Sequence, residues 1–326
     1  MTDAANHTNR APSASSVGAS IFIICWLLFW TAIVMVFNVI FFSSIVDAAR
    51  SQSFPFVLGS ITRSQIVRSG GEDGSHVEVE YEYFVGRDRY ENDAVRFGMN
   101  MTGLGRLQKV VDRYPEGSEV PVYYDPDDPS HAALEQGLVP SDLFMPIFLT
   151  PFNMVMIGGW YLLMGPAIRR FLGWPPSGMR ARSSGMSQIF YAYKIDPLLL
   201  MMIAAGAAGF ACTFVVGFGL FLLPAWLLIP LGYLAMLAIT LYVWAQNRPS
   251  RIELNLVKGT LTTSDEMEVI DTSRIKAIAA RESTASKGTG MLVIDVDEHS
   301  VDVPCNSLVA AEWLKQQLEE ALRLKN

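Results

Sequence analysis

The sequence predicts an α-helical membrane protein with four spans, a small β-rich domain between the first two spans and a C-terminal α+β module. Three observations predict it. No charged side chain occurs in Ala11–Val46, Leu143–Ile168 or Pro197–Asn247, and about 20 apolar residues suffice for a helix to cross a hydrocarbon core. The segment 47–142 between the first two gaps holds a clear period-two pattern. The chain ends in an amphipathic stretch preceded by several short apolar runs.

The first gap gives one span, 21–46, because the small polar residues of 11–20 read as part of a disordered tail over 1–20. A cleaved signal peptide is the rival reading, and Val46-Asp47-Ala48 has some likeness to a cleavage site. The apolar run is longer than the roughly 7–15 residues such a peptide uses, and no basic cluster precedes it. The second gap gives the span 143–168. The third, read as a single helix, would be about 76 Å long, more than twice a hydrocarbon core. It therefore folds back, and Gly217, Gly219, Pro224 and Pro230 near its middle divide it into spans 197–220 and 225–246.

Charge sets the orientation. Arg169, Arg170, Arg180, Arg182 and Lys194 stand against the single acid Asp196 between spans two and three, and Arg248, Arg251 and Lys258 follow span four. The positive-inside rule then puts the basic loop 169–196 and both termini in the cytoplasm and 47–142 outside. The expected location is a plasma (bacterial inner) membrane. Segment 47–142 carries nine Lys/Arg against seventeen Asp/Glu, an acidic balance that argues against nucleic acid as a partner. It holds no cysteine, so no disulfide braces it.

Within that segment Val77, Val79, Tyr81, Tyr83 and Val85 alternate with Glu78, Glu80 and Glu82, the pattern of a half-buried strand over 75–85. Gly86-Arg87-Asp88 turns the chain into a second strand over 89–97, and an earlier strand is expected over 59–68. Leu104, Leu107, Val110, Val111 and Tyr114 have helical spacing, and Pro115 ends that helix. A strand over 118–124 stops at Asp125-Pro126-Asp127-Asp128-Pro129. Clustered carboxylates there suggest calcium, but two prolines and turn-favouring Asp residues suit an acidic turn. Calcium is then expected to leave the melting temperature of this domain unchanged. Asn100-Met101-Thr102 is a glycosylation sequon, read as coincidental.

These residues carry a resemblance. Tyr81-x-Tyr83-x-x-Gly86, followed by Tyr114-Pro115-x-Gly117-Ser118-x-Val120-x-Val122-Tyr123-Tyr124-Asp125-Pro126-x-x-Pro129, resembles the DUF3592 family over about 50–140. The resemblance implies a β-rich domain flanked by membrane helices and supplies no catalytic residues.

Residues 250–326 read as a compact module. Strands are expected over 251–257, 260–263, 275–280, 291–296 and 299–303, then an N-cap at Asn306 or Ser307. A helix over 308–324 carries Ala311, Leu314, Leu318, Ala321 and Leu322 on one stripe. This order resembles the bacterial PH-like domains attached to membrane helices. The loop 283–290 lacks phosphate-loop spacing. Cys305 has no companion at metal or redox spacing.

The spans contain no ionisable residue suited to a transport path, and all four His lie outside them. Ala204 to Gly209, and Gly158, Gly159 and Gly165, permit close helix approach, within the bundle or in a homo-oligomer. No catalytic, cofactor-binding or metal-ligating residue is expected. The expectation is a non-enzymatic protein that links an outer binding domain to a cytoplasmic module, as a sensor, scaffold or envelope interaction protein. Its partners are the lipid bilayer and proteins the sequence does not name. The alternative is an accessory subunit of a transporter or channel. An enzyme using His76, Glu78, Glu80 or Glu82 ranks last, because glutamates alternating on a strand's solvent face are ordinary surface and no nucleophile–base set is visible.

Overall fold

The computed structural model describes residues 14–68, 75–97, 107–184, 187–220, 223–264, 269–283, 288–297 and 299–323. The sequon at 100–102 and residues 284–287 of the loop 283–290 lie outside them. Four helices are long and apolar enough to cross a membrane: α1 (Ala14–Arg50), α3 (Phe144–Phe171), α4 (Pro197–Gly219) and α5 (Ala225–Gln246). A short helix, α2 (Leu107–Arg113), lies between α1 and α3.

Helix α1 is helical from Ala14, ahead of the span start expected at residue 21; it begins after Pro12, which disfavours helix at the residue before it, and tolerates Gly18 within it. The fold-back in the third gap lies just before Ala225. Pro224 accepts the first turn's N–H bonds from Leu227 and Leu228, whereas Pro230 sits inside α5.

The chain divides into two compact units, Thr31–Leu149 with Thr213–Gly232, and Met1–Trp30 with Thr150–Cys212 and Tyr233–Asn326. In the first, the β-rich domain is an antiparallel sheet of order β3-β2-β1-β4-β5. Its strands are β1 (Phe56–Arg68), β2 (Ser75–Val85), β3 (Asp88–Asn92), β4 (Glu119–Tyr124) and β5 (Ala132–Ala133). One face buries Ile61, Val79, Tyr81, Tyr83, Val120 and Val122 with Tyr114 and Leu134. Gly59 is required where β1 passes between its neighbours: a Cβ there would lie 2.6 Å from Val122 and 2.7 Å from the Glu82 carbonyl.

In the second unit, the segment 169–196 is more than a solvated loop. It contains β6 (Met179–Ser184) and β7 (Ser187–Ala192), and β7 pairs with β8 (Ser250–Asn255) from Ser187↔Asn255 to Ala192↔Ser250. Its apolar positions explain this: Met179, Phe190 and Ala192 are buried in the same core as Ile252 and Leu254. The sheet order is β10-β9-β8-β7-β6, with β9 (Thr260–Thr263) and β10 (Val269–Asp271). A second sheet of β11 (Ile275–Glu282), β12 (Gly290–Val296) and β13 (Ser300–Cys305) carries α6 (Leu308–Arg323). Ser307 caps α6 by accepting the Ala310 N–H at 3.2 Å, and Ala310, Ala311, Leu314, Leu318 and Ala321 are buried.

Several small residues of the spans pack closely against other helices of the chain. A Cβ on Gly159 would meet Leu27 at 2.7 Å, one on Gly209 would meet Thr150 at 2.9 Å, and one on Gly206 would meet Met154 at 3.2 Å. In the other unit, Gly232 fits against Val216 and Ile147.

Candidate functional site

The densest polar assembly in the described residues surrounds Asp196, immediately before α4. Pro at the first helical position and Asp just ahead of it are an N-terminal signature. Asp196 Oδ1 accepts the N–H groups of Leu198 at 2.8 Å and Leu199 at 3.1 Å. Oδ2 faces the other way and accepts the Tyr161 hydroxyl of α3 at 2.7 Å, the Gly178 N–H at 3.1 Å and the Ser177 hydroxyl. Arg169, in the last turn of α3, donates to the Tyr161 oxygen at 3.0 Å and lies 4.0 Å from Oδ2.

Asp196 is buried, with 5% of its side chain exposed. Burial pushes its carboxyl up, but the hydrogen bonds from Ser177, Tyr161, Leu199 and Leu198 outweigh that and hold it below the ordinary carboxylate value. The network continues outward. Asn306, just ahead of α6, donates to the Ser177 carbonyl at 2.7 Å, and Asn247 after α5 donates to the Ile195 carbonyl at 2.9 Å. A Cβ on Gly178 would collide with the Asn306 side chain, and its φ of +75° favours glycine. One carboxylate thus joins α3, α4 and the domain that follows α5. Sequence reasoning counted Asp196 only as the lone acid in a basic segment; its place before Pro197 was the available signal.

A second junction fixes the β-rich domain to α1. Ala48, fully buried on α1, packs with Phe97 and Ala133, and Phe54, Ala94 and Tyr123 surround them. Buried Ser51 donates to the Ala48 carbonyl and accepts the Gly137 N–H, both at 2.8 Å. Arg96 donates to Asp142 at 3.1 Å, ahead of α3, and Asp142 also accepts the Val139 N–H at 2.9 Å.

Of the residues considered for catalysis, the three glutamates are engaged in surface pairs. Arg63 pairs with Glu80 at 3.1 Å and with Glu78 at 3.4 Å, and Glu82 accepts from Arg89. The Gln65 hydrogen bond, with Arg63 beside it, holds the Glu78 carboxyl below its ordinary value. These are solvated pairs on the outer sheet face, where ion pairs contribute little. The motif tyrosines are structural in geometry: Tyr81 donates to the Ala94 and Ala132 carbonyls and Tyr83 to the Pro129 carbonyl at 2.6 Å. Asp125 and Asp128 accept the N–H groups of Asp127 and Ser130, which are turn geometries. Among the described residues, no three His, Cys, Asp or Glu side chains are placed to hold a metal ion. Cys305 is buried, and desolvation pushes its thiol up to about 12.

Residues 57–139 match the family model of a domain of unknown function, DUF3592. No curated protein and no solved structure matches the chain.

Proposed function

We propose that this membrane protein, whose residues 57–139 form a DUF3592 domain, couples binding by that domain on the outer side to a cytoplasmic C-terminal module. It works through protein and lipid contacts and not through catalysis. The observation that carries the reading is the continuous path Tyr161–Asp196–Ser177–Asn306, which ties a spanning helix to the residue ahead of α6. A module held only for local concentration would need no such link; a flexible tether would serve it. With this path, a shift of α3 against α4 moves the C-terminal domain as well.

The proposed topology is supported by two independent features. Basic residues Arg169, Arg170, Arg180 and Arg182 cluster in one connection. The pairing of β7 with β8 requires the chain to leave and return to one side through α4 and α5. On this reading the two-sheet domain closed by α6 acts as a docking module, a role its expected resemblance to PH-like domains would suit; element order alone names no ligand.

Affinity capture with crosslinking of the full chain in native membranes tests the function. The expected result is a partner whose capture is lost on replacing residues 57–139 or the C-terminal domain and kept on exchange of surface carboxylates in 78–91. Capture of a stoichiometric polytopic partner that survives removal of both domains would overturn the coupling reading and make the chain an accessory subunit of that assembly.

A further inference from the structure

The outward face of the β-rich sheet changes character abruptly along its strands. Strand register lines up rows across β4, β1, β2 and β3. One row is Glu119, Ser60, Glu82 and Glu91. The adjacent row is Pro121 and Leu58, with Phe84 one step beyond the Gly59↔Tyr83 pair and Arg89 opposite Phe84. The next holds Tyr123 opposite Phe56, rings 6.0 Å apart. Phe56, Leu58 and Phe84 are 60%, 64% and 54% exposed. Arg89 does not disturb this apolar end, because its guanidinium is drawn to Glu82 at 2.5 Å and Glu91 at 2.8 Å in the polar row.

The apolar rows lie at the end of the sheet that meets α1. Phe56 follows Arg50, the last residue of α1, by six residues. Tyr123 packs into the cluster around Ala48, which is on α1 itself. Phe42, 69% exposed on the same helix, is six residues before Ala48, about 9 Å along the axis. The headgroup layer on each side of a bilayer is several ångströms thick, so the end of the sheet is within its reach. The exposed apolar surface of α1 and the Phe56–Leu58–Phe84 patch therefore both lie near the junction of α1 with the sheet. A membrane interface accommodates an apolar patch with aromatic rings and a charged rim one strand-step away.

We propose that Phe56, Leu58 and Phe84 rest in the interfacial layer of the bilayer that α1 crosses, so that the β-rich domain is seated on the lipid surface with its Glu82 row facing water. This rests on α1 spanning the membrane, and the test separates the two. Single nitroxide labels are placed on the full chain, with Cys25, Cys212 and Cys305 replaced by Ala, in phosphatidylcholine–phosphatidylglycerol vesicles. The sites are Leu58→Cys, Phe84→Cys, Glu119→Cys and Phe42→Cys. All four side chains are exposed or near-surface, and thermal unfolding checks that each variant folds.

The expected result is an oxygen-to-nickel-complex collision ratio severalfold higher at Leu58 and Phe84 than at Glu119, approaching that at Phe42. Ratios at Leu58 and Phe84 equal to that at Glu119, with Phe42 still lipid-exposed, would overturn the seating and leave the span intact. Shielding from both reagents with spin–spin broadening would overturn it in favour of a second copy on this face. Water exposure at Phe42 would overturn both readings.

Discussion

The Tyr161 hydroxyl donates a 2.7 Å hydrogen bond to the carboxylate of Asp196, which at the same time caps α4 through Leu198 and Leu199. One side chain therefore sets the positions of two spanning helices, and through Ser177 and Asn306 it also positions α6. Each of its two oxygens accepts at least two donors, an arrangement only a carboxylate fills without leaving one of them unpaired.

Asp196→Asn places an amide where donors converge. The expected loss at neutral pH is about 1.5–3 kcal/mol, the range for hydrogen bonds to a charged group, read as a lower melting temperature of the full chain in detergent. The pH dependence has a definite sign. The folded state holds the Asp196 carboxyl below its ordinary value, so the stabilisation is fully present above the unfolded-state value near about 3.9 and fades as pH falls through the lower folded value. The gap between wild type and Asp196→Asn should therefore be constant from neutral pH down to that region and narrow below it. A gap that widens on acidification would contradict the ionised assignment.

Tyr161→Phe keeps the ring and removes only the donor to Asp196. The expected cost is modest, about 0.5–1.5 kcal/mol, but its location is diagnostic. Amide hydrogen exchange should quicken at 177–178 and at the start of α6, more than 100 residues away in sequence. Faster exchange confined to α3 and α4 would show that the path to Asn306 carries no coupling.

Much of this architecture was legible in the sequence, for identifiable reasons. Tyr81 and Tyr83 alternate with glutamates because one sheet face is buried and the other wet, and that pattern survives as text. That Pro197–Asn247 holds two helices follows from its length, and Gly217, Gly219 and Pro224 mark where it turns. The β6–β7 hairpin was harder to read, since Met179 sits among Arg and Ser, and although Ile189 to Tyr193 form an apolar run, its burial depends on β8, which lies beyond two helices. The apolar rows around Leu58 and Phe84 were equally hidden, because each strand contributes only one or two residues and register alone aligns them.

Gly290 tests how closely α6 is seated. A Cβ there would fall 2.2 Å from the Ser307 carbonyl oxygen and 2.8 Å from the Leu308 Cα. Both are backbone atoms beside the α6 cap and cannot swing aside. Gly290→Ala should therefore destabilise the C-terminal domain by about 1–3 kcal/mol, the usual cost of overpacking, and quicken proteolysis at α6. Gly288→Ala, at a position of φ +84° with open space around it, should act through backbone strain alone and leave α6 protected.

The pairing of β7 with β8 makes a prediction about membrane topology itself. Tyr191 and Arg251 are directly opposed in the ladder, and opposed antiparallel residues have Cα atoms about 4.5–5.5 Å apart, inside the range a disulfide bridges. In a background with Cys25, Cys212 and Cys305 replaced by Ala, the double variant Tyr191→Cys, Arg251→Cys should crosslink under mild oxidation in native membranes. A protease site inserted between α4 and α5 should then be cut only from the opposite side of the membrane. After cutting, the two fragments should migrate together until reductant is added. Fragments that separate without reductant would place 179–192 and 250–255 apart and refute the pairing of β7 with β8. Cutting from the side that carries the disulfide would instead keep the β-sheet and remove the span, so the two failures are distinguishable on one gel.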